Sequence, residues 1–260
     1  MLEKVTQLLH LVGTEMLTWR GKPMCDGHWE GSQLKTAADQ EANSIIKEGL
    51  ARIAPFPCVS EEDEHSHAST RPDIYWLIDP IDGTASFCNG FDGFVTQVAL
   101  MQGCQAVLAV VHAPALGLTY TATQDGPAQC NHVRISTTAS GTRAPILIDN
   151  YPEPRGIADR LYDEIGCGGY VESGSIGLKI CRVADRTADL FVKDVTVRDW
   201  DLAPADLILA RAGGVLTTLA GDVVHYDGGF ERAGLIAAAG STLAEWVRDW
   251  NRARSEAKSE

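Results

Sequence analysis

The chain has 260 residues, of which 45% are hydrophobic and 22% charged, a composition typical of a globular protein that can bury a large core. Its 35 acidic and 22 basic residues give a formal net charge of −13 at pH 7. This acidity argues against nucleic-acid polymers and anionic membranes as main partners. A small phosphorylated substrate would therefore have to be attracted locally, by a bound cation or by a basic pocket.

The start of the chain and its cysteines predict a cytoplasmic protein. Met1-Leu2-Glu3-Lys4 lacks the basic and apolar segments of a signal peptide, and no apolar run is long enough to span a membrane. The seven cysteines are scattered and include no Cys-x-x-Cys pair. We interpret them as reduced thiols and not as ligands of a zinc site.

The first half of the chain predicts two helices followed by a sheet. Apolar residues recur at helical spacing over 2–19, and a second helix is predicted over Ala37–Ile53 with Thr36 as its N-cap. The segments 21–31 and 65–73 are predicted as loops, the second of them mobile. Strands are predicted at 58–60, 74–78, 94–101, 105–112 and 117–122, with the last three antiparallel and a turn at 125–127.

The second half of the chain has a different pattern, in which helices and strands alternate. Helices are predicted at 156–165, 176–188, 200–213 and 241–254, and strands at 146–148, 190–192, 215–219, 223–224 and 234–239. We therefore expect two lobes, 1–135 and 136–260.

The segment Asp79-Pro80-Ile81-Asp82-Gly83-Thr84 carries the strongest chemical signal. An apolar strand runs directly into two carboxylates three residues apart, which would repel each other in a partly buried turn. A divalent cation removes that repulsion, and magnesium prefers such oxygen ligands, to which the Ile81 carbonyl could add another. The N–H groups of Gly83 and Thr84 could hold a phosphate oxygen. The alternative is a simple surface turn, since Asp-Pro and Asp-Gly are common turn formers.

This segment resembles the first signature of the inositol monophosphatase superfamily. A second signature of that family is similar to Trp200-Asp201-Leu202-Ala203-Pro204-Ala205-Asp206, followed by Ala212-Gly213-Gly214. Ser60-Glu61-Glu62 and Thr36-Ala37-Ala38-Asp39 resemble its two upstream motifs. The resemblance covers roughly residues 30–240. It implies an α/β (α+β) fold, a layered αβαβα sandwich of the sugar phosphatase type with the active site between two lobes.

The resemblance also implies roles for individual residues. Two or three Mg²⁺ ions would be bound by Glu61, Asp79, the Ile81 carbonyl, Asp82 and Asp201. Asp39 and Thr84 would orient and activate the attacking water, the Thr84 hydroxyl donating to Asp39. Read without the family pattern, Asp39 is an ordinary acid of a first helical turn and Asp201 an N-cap. A role for Glu62 stays open, and Asp63 and Glu64 are interpreted as solvated.

The segment 173–179 resembles most the bacterial 3'(2'),5'-bisphosphate nucleotidase branch of the family, the CysQ type. Ser175, Lys179 and Lys193 would then contact the substrate, and the two lysines would bind its second phosphate. The alternative is that both lysines are ordinary charged residues of a helix and of a strand edge. Ala85-Ser86-Phe87 departs from the pattern of that branch and from that of the inositol monophosphatases, and inositol 1-phosphate and histidinol phosphate remain alternative substrates. A catalytically silent metal-binding homologue is the non-enzyme alternative. Family members are monomers or homodimers, and the resemblance implies inhibition by lithium.

Overall fold

The computed structural model describes residues 1–30, 33–68, 70–138 and 143–257. The helices in this part of the chain are α1 Leu2–Trp19, α2 Ala37–Ile53, α3 Thr84–Cys88, α4 Ile157–Ile165, α5 Ile176–Ala184, α6 Asp199–Ala212 and α7 Ser241–Ala257. The strands are β1 Gly27–Glu30, β2 Gln33–Thr36, β3 Cys58–Ser60, β4 Ile74–Asp82, β5 Val95–Gln102, β6 Gln105–Ala113, β7 Leu118–Thr123, β8 Gln129–Cys130, β9 Val133–Arg134, β10 Ile146–Asp149, β11 Gly169–Glu172, β12 Leu190–Arg198, β13 Val215–Thr217 and β14 Glu231–Ala238.

Two large sheets organise the fold. The first has seven strands in the order β3-β4-β5-β6-β7-β8-β9, antiparallel except for the parallel pair β3 and β4. The second has five strands in the order β11-β10-β12-β14-β13 and mixes parallel and antiparallel pairs. The sheets divide along the chain near residue 135. The division into two lobes at that residue remains a prediction, because one apolar cluster joins both halves.

The helices and sheets stack in five layers, αβαβα. Helices α1 and α2 pack on one face of the first sheet, where Val5, Ile46 and Trp76 are fully buried. Helices α5 and α6 fill the space between the sheets. Helices α4 and α7 cover the outer face of the second sheet through residues such as Leu161 and Val247. The alternation of side chains along each strand supplies a buried face to both neighbouring layers, so the fold is the predicted layered α/β sandwich.

Most predicted elements are confirmed, α1 and α2 to the residue. Several elements were missed or were given wrong ends. Gly27–Glu30 and Gln33–Thr36 pair as the antiparallel strands β1 and β2, where 21–31 was predicted as a loop. Helix α5 ends at Ala184, before Arg186 with φ +67°, and not at 188. Strand β12 continues to Arg198 because its far end pairs with Glu231, and β11 and α3 were not predicted.

Among the described residues, no helix combines the length and the apolar character that crossing a membrane would require. All seven cysteines are free thiols.

Candidate metal-dependent active site

Three carboxylates from distant parts of the chain meet between the two sheets. Glu61 follows β3, Asp79 lies within β4, and Asp201 lies in the first turn of α6. The parallel register of β3 and β4 pairs Ser60 with Ile78, which brings the next residues, Glu61 and Asp79, side by side. Each of the three carboxylates offers one oxygen, and these oxygens lie within 4.8 Å of one another.

Burial makes this cluster electrostatically costly without a counter-charge. It raises the pKa of Glu61 and of Asp79 well above their ordinary values, and the neighbouring carboxylates raise both further. Burial, followed by the charge of Asp82, raises the pKa of Asp201 to about 7. Asp79 Oδ1 is buried without a hydrogen-bond partner among the described residues. A hard divalent cation fits such an all-oxygen set, because it supplies the missing charge and a partner for this atom.

Asp82 stands apart from the three clustered carboxylates. Its Oδ2 accepts hydrogen bonds from the Ser175 hydroxyl at 2.5 Å and from the Gly177 N–H at 2.7 Å, and its Oδ1 lies 3.3 Å from the Ile176 nitrogen. Asp82 therefore anchors the N-terminus of α5 to the end of β4. It also lines the same cavity as Asp79, so it remains within reach of a cation held there.

Asp39 and Thr84 lie together, as their predicted roles require. The capping box that starts α2 fixes Asp39, whose Oδ2 accepts from the Thr36 N–H at 2.8 Å and from the Thr36 hydroxyl at 2.6 Å. Its other oxygen lies 3.0 Å from the Thr84 hydroxyl. That hydroxyl is also 3.0 Å from the Ile81 carbonyl, and its single proton serves one acceptor at a time. Burial raises the pKa of Asp39.

A cavity of about 260 Å³ is lined by the carboxylate cluster together with Asp82 and Thr84. Gly83, at φ +88°, turns the chain out of β4 so that Thr84 follows at the cavity wall; a side chain at residue 83 would be strained in this conformation. The cavity is lined by Leu34, Glu61, Glu62, Asp79, Ile81, Asp82, Gly83, Thr84, Ala85, Ile176, Thr196, Arg198 and Asp201.

Three predicted substrate contacts do not line this cavity. Lys179 is fully buried in α5, where its ammonium group donates to Asn150 and to the Gly174 carbonyl; its contact with substrate stays a prediction. The Ser175 hydroxyl caps α5 by accepting from the Leu178 N–H and donates to Asp82, so it is already engaged. Lys193 pairs with the buried Asp149 at 2.8 Å.

Two residues that sequence reasoning missed are built into the site. The Gln97 amide nitrogen lies 3.3 Å from Asp79 Oδ2 and 3.4 Å from Asp82 Oδ2, and so bridges the two carboxylates. Its signal is an amide directly before the apolar run Val98-Ala99-Leu100-Met101 of β5, where the structure buries it fully. Arg198 places a cation in the cavity wall, three residues before Asp201. Its signal is a basic residue two positions before the signature that supplies Asp201.

Comparisons with known proteins agree with this architecture. The model of the inositol monophosphatase family matches residues 20–254. The chain is 32% identical over 235 residues to a protein named 3'(2'),5'-bisphosphate nucleotidase CysQ from Salmonella typhimurium, covering 87% of this chain and 94% of that protein. It is also 28% identical over 193 residues to the Nus factor SuhB of the same species, covering 72% of each.

Among solved structures, an IMPase of Thermotoga maritima superposes with a TM-score of 0.81 at 24% identity, covering 96% of both chains. This likeness supports the fold. The family model spans nearly the whole chain. The three clustered carboxylates belong to the segments that resemble the motifs of this family. The chain therefore belongs to the inositol monophosphatase family of metal-dependent phosphatases.

Proposed function

We propose that the protein hydrolyses a small phosphate monoester with Mg²⁺ as its cofactor. The observation that carries the proposal is the cluster of Glu61, Asp79 and Asp201 oxygens within 4.8 Å of one another, with Asp79 Oδ1 buried and without a hydrogen-bond partner in the part of the chain that the structure describes. Three converging carboxylates, of which Asp79 is buried and the other two are partly buried, repel one another unless a cation neutralises them.

The metal ligands we propose are these three carboxylates with Asp82 and the Ile81 carbonyl, for two or three ions. When bound, the ions supply charge for the phosphoryl oxygens and lower the pKa of coordinated water. The chain then has to position the substrate and water, because phosphoryl transfer needs charge neutralisation and alignment more than covalent chemistry. Gly83 and Thr84 stand at the cavity wall, where their N–H groups are the proposed donors to a phosphate oxygen.

Asp39 and Thr84 are the proposed proton relay. Asp39 already accepts two hydrogen bonds from Thr36 on Oδ2, which leaves Oδ1 to accept from the Thr84 hydroxyl. A hydroxyl that donates to Asp39 presents its lone pairs to a water, whose proton it can receive as its own passes to the carboxylate. The two side chains thus move a proton away from the attacking water.

The substrate we favour is a 3'(2'),5'-bisphosphate nucleotide such as adenosine 3',5'-bisphosphate, released as adenosine 5'-phosphate and phosphate. Support comes from relatives named bisphosphate nucleotidase CysQ at 30–32% identity, of which one is matched over 94% of its length. Inositol 1-phosphate is the second candidate, because inositol monophosphatases share the fold at a TM-score of 0.81. Histidinol phosphate is the third.

The experiment is phosphate release from these three substrates by the purified protein, with Mg²⁺ and with EDTA. We expect release that depends on Mg²⁺, with the highest kcat/KM for adenosine 3',5'-bisphosphate. Metal analysis of the dialysed protein counts the ions in the same preparation. Absence of phosphate release from every substrate with Mg²⁺ present would refute the proposed phosphatase activity. A higher kcat/KM for one of the other two substrates would refute the bisphosphate nucleotide as the preferred substrate.

A further inference from the structure

Two cysteines meet at the end of helix α3, and the proposed phosphatase chemistry uses neither of them. Cys88 is the last residue of α3, and its thiol donates to the backbone carbonyl of Cys25, with sulfur and oxygen 3.7 Å apart. The two residues are 63 positions apart in the sequence. Both are free thiols that are partly buried and pack against the apolar cluster beneath α1 and α2. The fold thus brings two distant thiols together at a place that small solutes can reach.

The side chains of these cysteines also interact with each other. Burial, followed by a hydrogen bond with the Cys25 side chain and by its charge, raises the pKa of Cys88 to about 12. Such a hydrogen bond requires the two sulfur atoms to be neighbours. A disulfide needs Cβ atoms about 3.5–4.5 Å apart, and side chains already in contact reach that spacing by small rotations.

The cysteines connect two segments that carry the proposed proton relay. Thr84 begins α3 and Cys88 ends it, so the relay hydroxyl and the thiol belong to one short helix. Cys25 ends the turn Pro23–Cys25, which packs against α1 and α2. Helix α2 in turn contains Asp39 in its first turn. A covalent link between the two cysteines would therefore tie the helix of Thr84 to the layer that holds Asp39.

We propose that Cys25 and Cys88 form an oxidation site, at which a hydroperoxide produces an intramolecular disulfide that restrains α3. With hydrogen peroxide, the Cys25 thiolate attacks one peroxide oxygen and the O–O bond breaks. Cys25 becomes a sulfenic acid, and the departing hydroxide takes up the proton that Cys25 had lost. The Cys88 sulfur then attacks the Cys25 sulfur, so that the S–S bond forms and the S–O bond breaks. The hydroxyl leaves with the Cys88 proton as a second water.

The two cysteines have different roles in this reaction. The thiolate is the form of cysteine that attacks a peroxide, and Cys88 retains its proton because its pKa is raised. We therefore assign the first oxidation to Cys25 and the resolving role to Cys88. Over both steps the two thiols lose two electrons, and one hydrogen peroxide is reduced to two waters.

The disulfide should stabilise the protein and disturb the relay. It would close a loop of 63 residues in the unfolded chain, so the unfolding midpoint should rise by about 5 °C or more. The Cys88 thiol has to leave the Cys25 carbonyl to reach the sulfur, which shifts the end of α3. Thr84 lies 3.0 Å from Asp39, and a displacement of about 1 Å can cost about 100-fold in rate. We expect kcat for phosphate release to fall about tenfold or more, an effect that rests on the proposed function.

The test exposes the reduced full chain to hydrogen peroxide, blocks the remaining thiols with iodoacetamide and maps disulfides by mass spectrometry. Digestion uses trypsin with chymotrypsin, because trypsin alone leaves Cys58, Cys88 and Cys104 on one peptide. We expect one cross-linked peptide that joins Cys25 to Cys88 and disappears after treatment with dithiothreitol. The unfolding midpoint and kcat are measured on the same samples, and both should return to their starting values after that reduction.

Three variants assign the reaction to its two sulfur atoms. Cys88→Ser should accumulate a sulfenic acid on Cys25, which dimedone traps, because the resolving thiol is gone. Cys25→Ser should keep its midpoint and kcat unchanged in peroxide. Cys104→Ser is the matched control, which removes an exposed thiol between β5 and β6 and should respond to peroxide as the parent does.

The outcomes separate the oxidation site from the proposed function. Absence of a cross-link between Cys25 and Cys88, or a disulfide formed by another pair of cysteines, would overturn the site. A disulfide that leaves both the midpoint and kcat unchanged would overturn the restraint on α3. A reduced parent protein that releases no phosphate would refute the phosphatase activity, whereas the disulfide map and the midpoint would still decide the oxidation site.

Discussion

The Thr84 hydroxyl oxygen lies 3.0 Å from Asp39 Oδ1, although 45 residues separate the two along the chain. The contact joins the first turn of α2 to the first turn of α3, at the wall of the cavity that contains the carboxylate cluster. A proton relay requires its two groups to lie within hydrogen-bond distance, and this contact meets that requirement.

Replacing Thr84 by valine removes the hydroxyl and keeps a branched side chain of similar size. We expect kcat for phosphate release to fall about 10²- to 10⁴-fold with little change in KM, since general acid–base catalysis contributes that much. Thr84→Ser keeps the hydroxyl and should retain most of the activity. An equally large loss in the serine variant would assign the effect to packing and not to the relay.

Asp79→Asn tests the metal site without measuring activity. Mg²⁺ should raise the unfolding midpoint of the unmodified protein, because a ligand of the folded state stabilises it by mass action, and this rise should be lost in the variant. In EDTA the variant should be at least as stable as the parent, since one member of a repelling cluster is gone. Asp82 is a poorer choice, because it also anchors α5.

The matched control is Asp163→Asn, which changes an exposed aspartate of α4. This control should show the same Mg²⁺-dependent rise as the parent protein in differential scanning fluorimetry. A full Mg²⁺-dependent rise in the Asp79→Asn variant would contradict the proposed metal ligand.

Lys179→Met distinguishes a structural lysine from a substrate contact. The variant leaves Asn150 and the Gly174 carbonyl without their buried donor, so the free energy of unfolding should fall by about 1–3 kcal/mol. The ratio of KM for adenosine 3',5'-bisphosphate to KM for inositol 1-phosphate should stay within about twofold of the parent. Urea unfolding and steady-state kinetics measure the two effects. A selective rise of KM for the bisphosphate would support the original prediction from the sequence.

His112 should make stability depend on pH in mildly acidic solution. It lies under α1, where its Nδ1 is 3.0 Å from the Thr119 hydroxyl. Burial, with a smaller effect of His10, lowers its pKa from 6.5 to about 4. The unfolded chain therefore binds the extra proton first as pH falls, so this stability is complete above pH 6.5 and is lost towards pH 4.

The full effect corresponds to about 3 kcal/mol. His112→Gln has no proton to bind, so the difference in unfolding free energy between parent and variant should shift by that amount across the window. Urea unfolding of both proteins at several pH values isolates this difference from the titration of the carboxylates. A difference that stays constant between pH 4 and 6.5 would show that His112 is not the group responsible.

The sequence by itself determined the elements whose signals are local. Thr36 and Asp39 form their capping box within four residues, and α2 accordingly begins and ends where it was predicted. The apolar run that leads into Asp79 likewise predicted a buried strand whose end carries the carboxylates of the site. The proposed metal ligands and Thr84 line one cavity, and Asp39 contacts Thr84 at its wall; their roles remain proposals.

Only the tertiary structure decided which charges face the cavity. Lys179 and Arg198 are both basic residues close to segments that resemble family motifs. Their positions in the sequence do not predict that Lys179 is fully buried whereas Arg198 lines two cavities. The difference arises because α5 packs between two sheets, whereas Arg198 lies at the open junction between β12 and α6. A side chain's surroundings depend on contacts between segments far apart in sequence, and local patterns do not contain that information.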